Sequence, residues 1–297
     1  MATELPLPPA GAQRLAFFGS PAMAVPTLRA LVDAGFEVAM VVTGHDKRRG
    51  RGSKTSPTPV KAAALELGLP ITTEIADAVA ADVDLGVVVA FGKIIPRSVI
   101  EQLPMVNLHF SALPRWRGAA PIERAILSGD SDTAISIITI AVGLDEGDIW
   151  AEEPVPIGEL DTADDLRVRM AAGGADLMVR TIREGFPASV PQQGEPVYAA
   201  KIHPSDLEID WSAEVEEVLR QVRVGGAWTT LRGERFKIWE ALPADGQLGP
   251  GEIDATTVGT GAGALSLGVV QPAGKPRLAA ADWANGAQLD GSDRFGE

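Results

Sequence analysis

The sequence predicts an α/β protein in two parts, a doubly wound parallel sheet followed by a small β-barrel. Three observations carry that expectation. Short apolar runs at 15–18, 37–43, 85–91, 105–110 and 135–142 alternate with helical segments such as 60–67 and 119–128. Strands that alternate with helices pair in parallel and cover both sheet faces with helices. Beyond residue 203 the pattern changes to short strand-like pieces joined by glycine turns, as in small barrels. Between the two parts, the Pro-, Gly- and Gln-containing stretch 185–197 reads as a linker. A chain of 297 residues suits two domains. The expected boundaries are 13–188 for the first domain, 189–202 for the linker and 203–297 for the second.

Taken in order, residues 15–18 form a first strand, with Ser20 as N-cap and Pro21 as first residue of the following helix. Only Gly19 stands in that first turn, so the dinucleotide fingerprint is missing and no nicotinamide cofactor is expected. Residues 160–184 close the first domain as a helix. In the second domain Ser212 caps a short helix whose Val215, Val218, Leu219 and Val222 follow i, i+3, i+4, i+7. Strands are expected at 227–232, 234–241, 252–258 and 264–271, with turns at Gly233, Gly249-Pro250-Gly251 and the glycine-rich run 259–263.

Composition narrows the function classes. The chain is 45% hydrophobic and 22% charged, ordinary for a globular protein. Its longest apolar run, 85–92, is far too short to span a bilayer, so no membrane partner is expected. Residues 1–9 lack the basic and apolar regions of a signal peptide, read as a frayed tail and point to a cytoplasmic location. There is no cysteine, and His45, His109 and His203 show no ligand spacing, so no metal is expected. The net charge of −14, with 15 acidic against 8 basic residues over 205–297, opposes broad attraction to nucleic acid. Against that balance, Lys47, Arg48, Arg49, Arg51 and Lys54 fall within eight residues, interleaved with Gly50 and Gly52. Such a run is commonly a solvated loop, but it can also order on a nucleic-acid end on binding.

The candidate site begins in the run from Val106 to Ile122. Val106, Leu108 and Phe110 alternate with Asn107, His109 and Ser111, the period of a strand, which puts Asn107 and His109 on one face. A lone histidine in an apolar strand is more often a satisfied core residue. An amide and an imidazole on one buried face both need partners, however, and suit a site where an oxygen gains charge and a proton moves. A second loop, Gly143-Leu-Asp-Glu-Gly-Asp148, follows a β-branched run and brackets Asp145 with glycines. An acid just past a strand end is where open α/β sheets build sites, although Asp in a Gly-rich loop is usually a solvated turn.

Together these residues carry a resemblance. Asn107-x-His109, Ser111-Ala-Leu-Pro114, Gly118 and Gly143-Leu-Asp145-x-Gly147 resemble the site of the folate-dependent formyltransferases. The string Leu113-Pro-Arg-Trp-Arg-Gly-Ala-Ala-Pro-Ile122 is similar to the branch that acts on tRNA. Similarity continues through 16–21, 47–61, 88–96, 198–202, 209–212, 226–229 and 271–275, so nearly the whole chain from about residue 14 is covered. The resemblance implies a Rossmann-like formyltransferase domain, a C-terminal OB-like barrel that helps hold tRNA, and a monomeric enzyme without metal. The implied donor is 10-formyltetrahydrofolate and the implied acceptor the α-amine of methionyl initiator tRNA, as translation initiation requires.

On the same basis Asn107 and His109 serve the formyl oxygen, while Asp145 orients His109 and relays a proton. Phe91, Gly92, Ile94, Ser111, Ala112, Leu113 and Pro114 line the folate pocket, and Lys47, Arg48, Arg49, Arg51 and Lys54 meet the acceptor stem. Three features depart from the family pattern: Ala112 stands where leucine is usual, Lys47 where arginine is, and 223–228 is shortened. An amino-sugar nucleotide formyltransferase or a formyltetrahydrofolate hydrolase would share Asn107, His109 and Asp145. The first would lack the basic loop and the Arg115-Trp-Arg-Gly-Ala-Ala-Pro121 string, the second would transfer the formyl group to water, and the C-terminal barrel and loop 47–54 count against both.

Overall fold

The computed structural model describes residues 5–48 and 55–297, the side chains of Lys47 and Arg48 excepted. Contacts gather the chain into two units. One comprises the chain to Pro121, Asp132–Pro156 and Arg167–Ala199; the other comprises Ile122–Ser131, Ile157–Leu166 and Ala200–Glu297. Among the described residues no helix is long and apolar enough to cross a membrane.

Up to residue 184 the elements are β1 (Arg14–Gly19), α1 (Val25–Asp33), β2 (Glu37–Val42), β3 (Lys47–Arg48), β4 (Thr55–Ser56), α2 (Pro59–Glu66), β5 (Ile71–Thr72), α3 (Asp77–Ala80), β6 (Leu85–Val89), α4 (Arg97–Ile100), β7 (Met105–His109), β8 (Arg117–Gly118), α5 (Pro121–Ser128), β9 (Asp132–Thr139), β10 (Ile149–Pro156) and α6 (Ala163–Glu184). The main sheet has the order β10-β9-β7-β6-β1-β2-β5. Strands β5, β2, β1, β6 and β7 pair in parallel. The central strands β1 and β6 are buried almost throughout, as parallel strands covered on both faces must be. From β1 the chain builds to one side through β2 and β5, then to the other through β6 and β7. This reversal is the switch point at which doubly wound sheets bind ligands, beyond the strands' carboxyl ends.

The doubly wound expectation therefore describes five strands, and the far edge departs from it. β9 runs antiparallel to β7, and β10 antiparallel to β9. Apolar periodicity carries no strand direction, whereas the short connection 140–148 closes a hairpin and so forces β10 to reverse.

Helix starts also differ from expectation. Thr58 caps α2 by accepting from Lys61 N (3.0 Å). Ser20 instead accepts from Gly44 N (3.1 Å), and a 3₁₀ turn, Ala22–Ala24, precedes α1. Pro26 explains the delay, because proline fits only the first turn of an α-helix. Gly174 lies within α6, where glycine costs about 1 kcal/mol relative to alanine. A Cβ there would lie 2.7 Å from Leu108 Cδ2, so the glycine lets the helix approach β7 beside His109.

Past residue 184 the elements are β11 (Tyr198–Ala199), α7 (Val215–Val224), β12 (Trp228–Leu231), β13 (Glu234–Ala244), β14 (Ile253–Asp254), β15 (Thr257–Gly259), β16 (Ala264–Pro272), β17 (Leu278–Ala279) and α8 (Ala280–Ala287). β12-β13-β16-β15-β14 form an antiparallel sheet, with β17 also on β16. Isolated bridges from Phe295 to Leu231 and from Arg294 to Glu252 bring the two ends of this half-barrel onto one segment. Its core stacks Trp211 on Phe295 and packs Phe236 against Trp283 over Val218, Ile238 and Val270.

The expected strand 252–258 is two short strands, turned at Ala255 (φ +52°). Glu214 occupies the N-cap of α7, because Ser212 donates its hydroxyl to Asp210 (2.6 Å) and closes a turn of its own. β17 and α8 were not foreseen; Leu278 and Ala279 are too short a run to show a period.

Candidate active site

β7 ends at His109, between β6 and β9 and one strand removed from the switch point between β1 and β6. Along it Val106 and Leu108 are buried, Asn107 is half-buried and His109 is 5% exposed. The following loop returns over the strand end, and Ser111 Oγ holds it by donating to the Arg115 carbonyl (2.7 Å). Ser136 on β9 lies opposite His109 in the register and donates to the Ser111 carbonyl (2.8 Å), with Glu152 also in reach of its hydroxyl. Trp116 takes a left-handed conformation (φ +66°), and its carbonyl lies 3.0 Å from His109 Nε2. A carbonyl only accepts, so Nε2 carries a proton and Nδ1 is where the ring gains or loses one.

Nδ1 faces Asp145. Its Oδ2 is 3.6 Å away, and the two side chains are 6% and 15% exposed. The same oxygen accepts from Gly118 N (2.9 Å), and Asn107 Nδ2 approaches Oδ1 at 3.4 Å. Asp145 is itself left-handed (φ +50°). Non-glycine residues in that region cost free energy and cluster where function demands a particular aim. Here the two left-handed residues are those that touch the imidazole. Gly147 makes the approach possible, since a Cβ there would lie 1.8 Å from the Thr139 carbonyl. Burial pushes the His109 imidazole below its usual value, while Asp145 and the Trp116 carbonyl pull it back.

Asn107, His109 and Asp145 thus meet, although 38 residues separate Asn107 from Asp145. The residues expected to line a folate pocket are placed differently from one another. Phe91 is in the core, edge-on to Phe18 (5.6 Å), whereas Ile94 is 93% exposed on the loop after β6. Gly92 is exposed at φ +71°, Ala112 is half-buried, and Leu113 and Pro114 are buried. Ser111 is fully buried and spends its hydroxyl on its own loop. Of the basic run, Lys47 and Arg48 form β3 against β4, while Arg49, Arg51 and Lys54 lie outside the described residues. Among the described residues no group of three His, Cys, Asp or Glu is arranged to hold a metal.

Sequence reasoning missed the groups that hold the site together: the Trp116 carbonyl, Ser136 and Gln192. Gln192 carried only the composition of a linker. Residues 190–199 instead bond to the first unit, through Val190 with Ile149, Val197 with Pro114 and Arg117, and β11 with β8.

At the end of β7, a doubly wound sheet thus gathers an amide donor, a buried imidazole and, from the loop after β9, a carboxylate, the kinds of group that move protons and stabilise charge on oxygen. Residues 13–182 match the family model described as formyl transferase, and 201–288 match formyl transferase, C-terminal domain. The chain belongs to the formyl transferase family. The methionyl-tRNA formyltransferase of Chromobacterium violaceum is 39% identical over 307 residues, covering 95% of this chain and 99% of its own. That of Symbiobacterium thermophilum is 40% identical over 310 residues, 95% of each. Among solved structures, an N-formyltransferase from Helicobacter canadensis, in complex with folinic acid and dTDP-3-aminofucose, shares the fold. Its TM-score is 0.67 at 18% identity, over 85% of this chain and 98% of its own.

Proposed function

We propose that this protein transfers the formyl group of 10-formyltetrahydrofolate to the α-amine of methionyl initiator tRNA, in the cytoplasm. The observation that carries the reading is the convergence of His109 and Asn107 on the single carboxylate of Asp145. The relatives named as methionyl-tRNA formyltransferases, matched over nearly their full length, support the choice of acceptor.

The chemistry follows from the groups present. As the amine attacks the formyl carbon, a C–N bond forms and negative charge gathers on the formyl oxygen. Asn107 Nδ2, held only loosely at 3.4 Å, is the donor free to turn to that oxygen. The attacking nitrogen must lose a proton, and N10 of the folate must regain one as its bond to the formyl carbon breaks. Asp145 and His109 Nδ1 form the pair that accepts and returns it, and the Trp116 carbonyl fixes the ring during the exchange. His109 Nε2 is occupied by Trp116, so the oxygen falls to Asn107 and the proton to His109 with Asp145. Exposed Ile94 and half-buried Ala112 fit an aromatic ring laid against the strand ends.

In this reading the first unit is the catalytic domain and 203–297 the tRNA-binding one. Supporting that role, the outer face of β13 carries Arg235 stacked on Trp228 (4.0 Å), and Lys237 near Trp239 (5.4 Å). Arg277 covers Trp239 at 3.3 Å. Among the described residues Arg235, Lys237, Lys275 and Arg277 have no carboxylate partner, so an acidic unit keeps one cationic, aromatic face suited to phosphate and base. The loop of Lys47, Arg48, Arg49, Arg51 and Lys54 would meet the acceptor stem.

The test is formyl transfer from 10-formyltetrahydrofolate with charged initiator tRNA, uncharged tRNA and an amino-sugar nucleotide as parallel acceptors. Product is expected on the charged tRNA alone. Formylated sugar, or formate released without acceptor, would overturn the assignment.

A further inference from the structure

We infer that Gln192 is a positioning residue for formyl transfer, clamping together the two loops that carry the reacting groups. The inference rests on the assignment of Asn107, His109 and Asp145 as the catalytic set. Gln192 Nε2 donates to the carbonyls of Asp145 and Gly147, each at 2.8 Å. Its Oε1 accepts from Arg117 Nε (3.0 Å) and Nη2 (2.7 Å). One planar amide therefore spends two donor and two acceptor positions, all on the neighbours of the site. Asp145 and Gly147 belong to the loop after β9, and Arg117 opens β8 at the end of the loop after β7, adjacent to the Trp116 carbonyl and to Gly118 N.

The clamp is itself anchored on both sides. Val190 and Ile149 exchange backbone hydrogen bonds (2.8 Å each), and Arg117 N donates to the Val197 carbonyl (2.9 Å). Arg117 has a further partner in Glu146 at 3.5 Å, so both loops are crossed twice.

The residue type is demanded by this chemistry. Glutamate accepts from Arg117 but turns an oxygen toward two carbonyls. Lysine donates to the carbonyls but cannot accept from Arg117. Asparagine is one methylene short. What Gln192 controls is the separation between the Asp145 carboxylate and His109 Nδ1, now 3.6 Å. Reacting groups displaced by about 1 Å lose on the order of 10²-fold in rate, even when the change lies outside the chemistry. Outer contacts of this kind cost about 10- to 100-fold in metal sites when removed.

The experiment compares Gln192→Ala and Gln192→Glu in the full-length protein, with Asp145→Ala as control, measuring kcat, both KM values and thermal melting. Both Gln192 variants should lose about 10- to 100-fold in kcat, with KM for folate and tRNA little changed and melting close to wild type. The His109 imidazole signals, resolvable among three histidines, should shift. Gln192→Glu discriminates further: it keeps the Arg117 contact, so wild-type kcat in that variant would place the effect on Arg117 and overturn the clamp. A kcat loss that follows the unfolded fraction, or unfolding of both variants, would make Gln192 a fold residue and overturn the positioning role. Wild-type kcat in both Gln192 variants beside an inactive Asp145→Ala would sink this inference alone. An active Asp145→Ala would sink the catalytic assignment beneath it.

Discussion

Replacing Asp145 with asparagine removes one charge from the site and turns an NH2 toward the Asn107 amide in place of its long (3.4 Å) acceptor. The new side chain is isosteric, and its oxygen can still accept from Gly118 N, so the loop keeps its anchor. What disappears is the attraction between the carboxylate and a protonated His109, 3.6 Å away. At that separation, with an effective dielectric near 20, two unit charges attract by roughly 4–5 kcal/mol. The side chains are only 6% and 15% exposed, so solvent screening takes little from that figure. If the pair becomes ionic only as the proton moves, turnover should fall by about 10³-fold. Single-turnover transfer to charged initiator tRNA measures the loss. An NMR titration of His109 supplies a second readout: burial already depresses the imidazole, and Asp145 opposes burial, so the variant should titrate lower still. Turnover within threefold of wild type, or an unmoved titration, would refute the reasoning.

Three further outcomes are expected. Gly147→Ala puts a methyl 1.8 Å from the Thr139 carbonyl, so the loop or the end of β9 must move. Activity should collapse, with a loss of about 1–3 kcal/mol in a urea melt, and a normal rate would show that the loop's approach is not needed. Bidentate bonding to Arg232, helped by the Asp290 backbone, holds the Asp293 carboxyl at about 2. Its contribution is complete above the ordinary aspartate range and fades as pH falls from about 4 to 2. Asp293→Asn should therefore flatten the acid limb of stability in that window, and an unchanged limb would assign it elsewhere. Finally, KM for tRNA should rise steeply with salt, and the rise should be shallower in Arg277→Ala and in Lys47→Ala while KM for folate stays constant. A salt-independent KM would remove both surfaces from the tRNA path.

Much of this was legible in the chain. The alternation through Val106, Leu108 and Phe110 put Asn107 and His109 on one face, because a strand's period is a property of its backbone. The i, i+3, i+4, i+7 spacing of Val215, Val218, Leu219 and Val222 likewise identified α7, although the expected cap at Ser212 starts it two residues early. Capping was less legible. Ser20 and Ser212 have the right chemistry for N-caps, yet each hydroxyl is drawn to a competing partner, Gly44 N and Asp210. The direction of β9 was not legible at all, since hydrophobic alternation is the same read either way.

The sequence by itself determined the type of its longer periodic elements, the division into a doubly wound part and a strand-rich part, and the chemical kinds available to the site. Local periodicity and side-chain chemistry suffice for these. Tertiary structure alone decided that Asp145 reaches His109 across a turned loop, that a tryptophan carbonyl sets the imidazole's proton, and that Gln192 spans both loops. Each depends on where a backbone carbonyl or a distant loop comes to rest. Every residue carries a carbonyl, so its identity records nothing about the partner that carbonyl will meet.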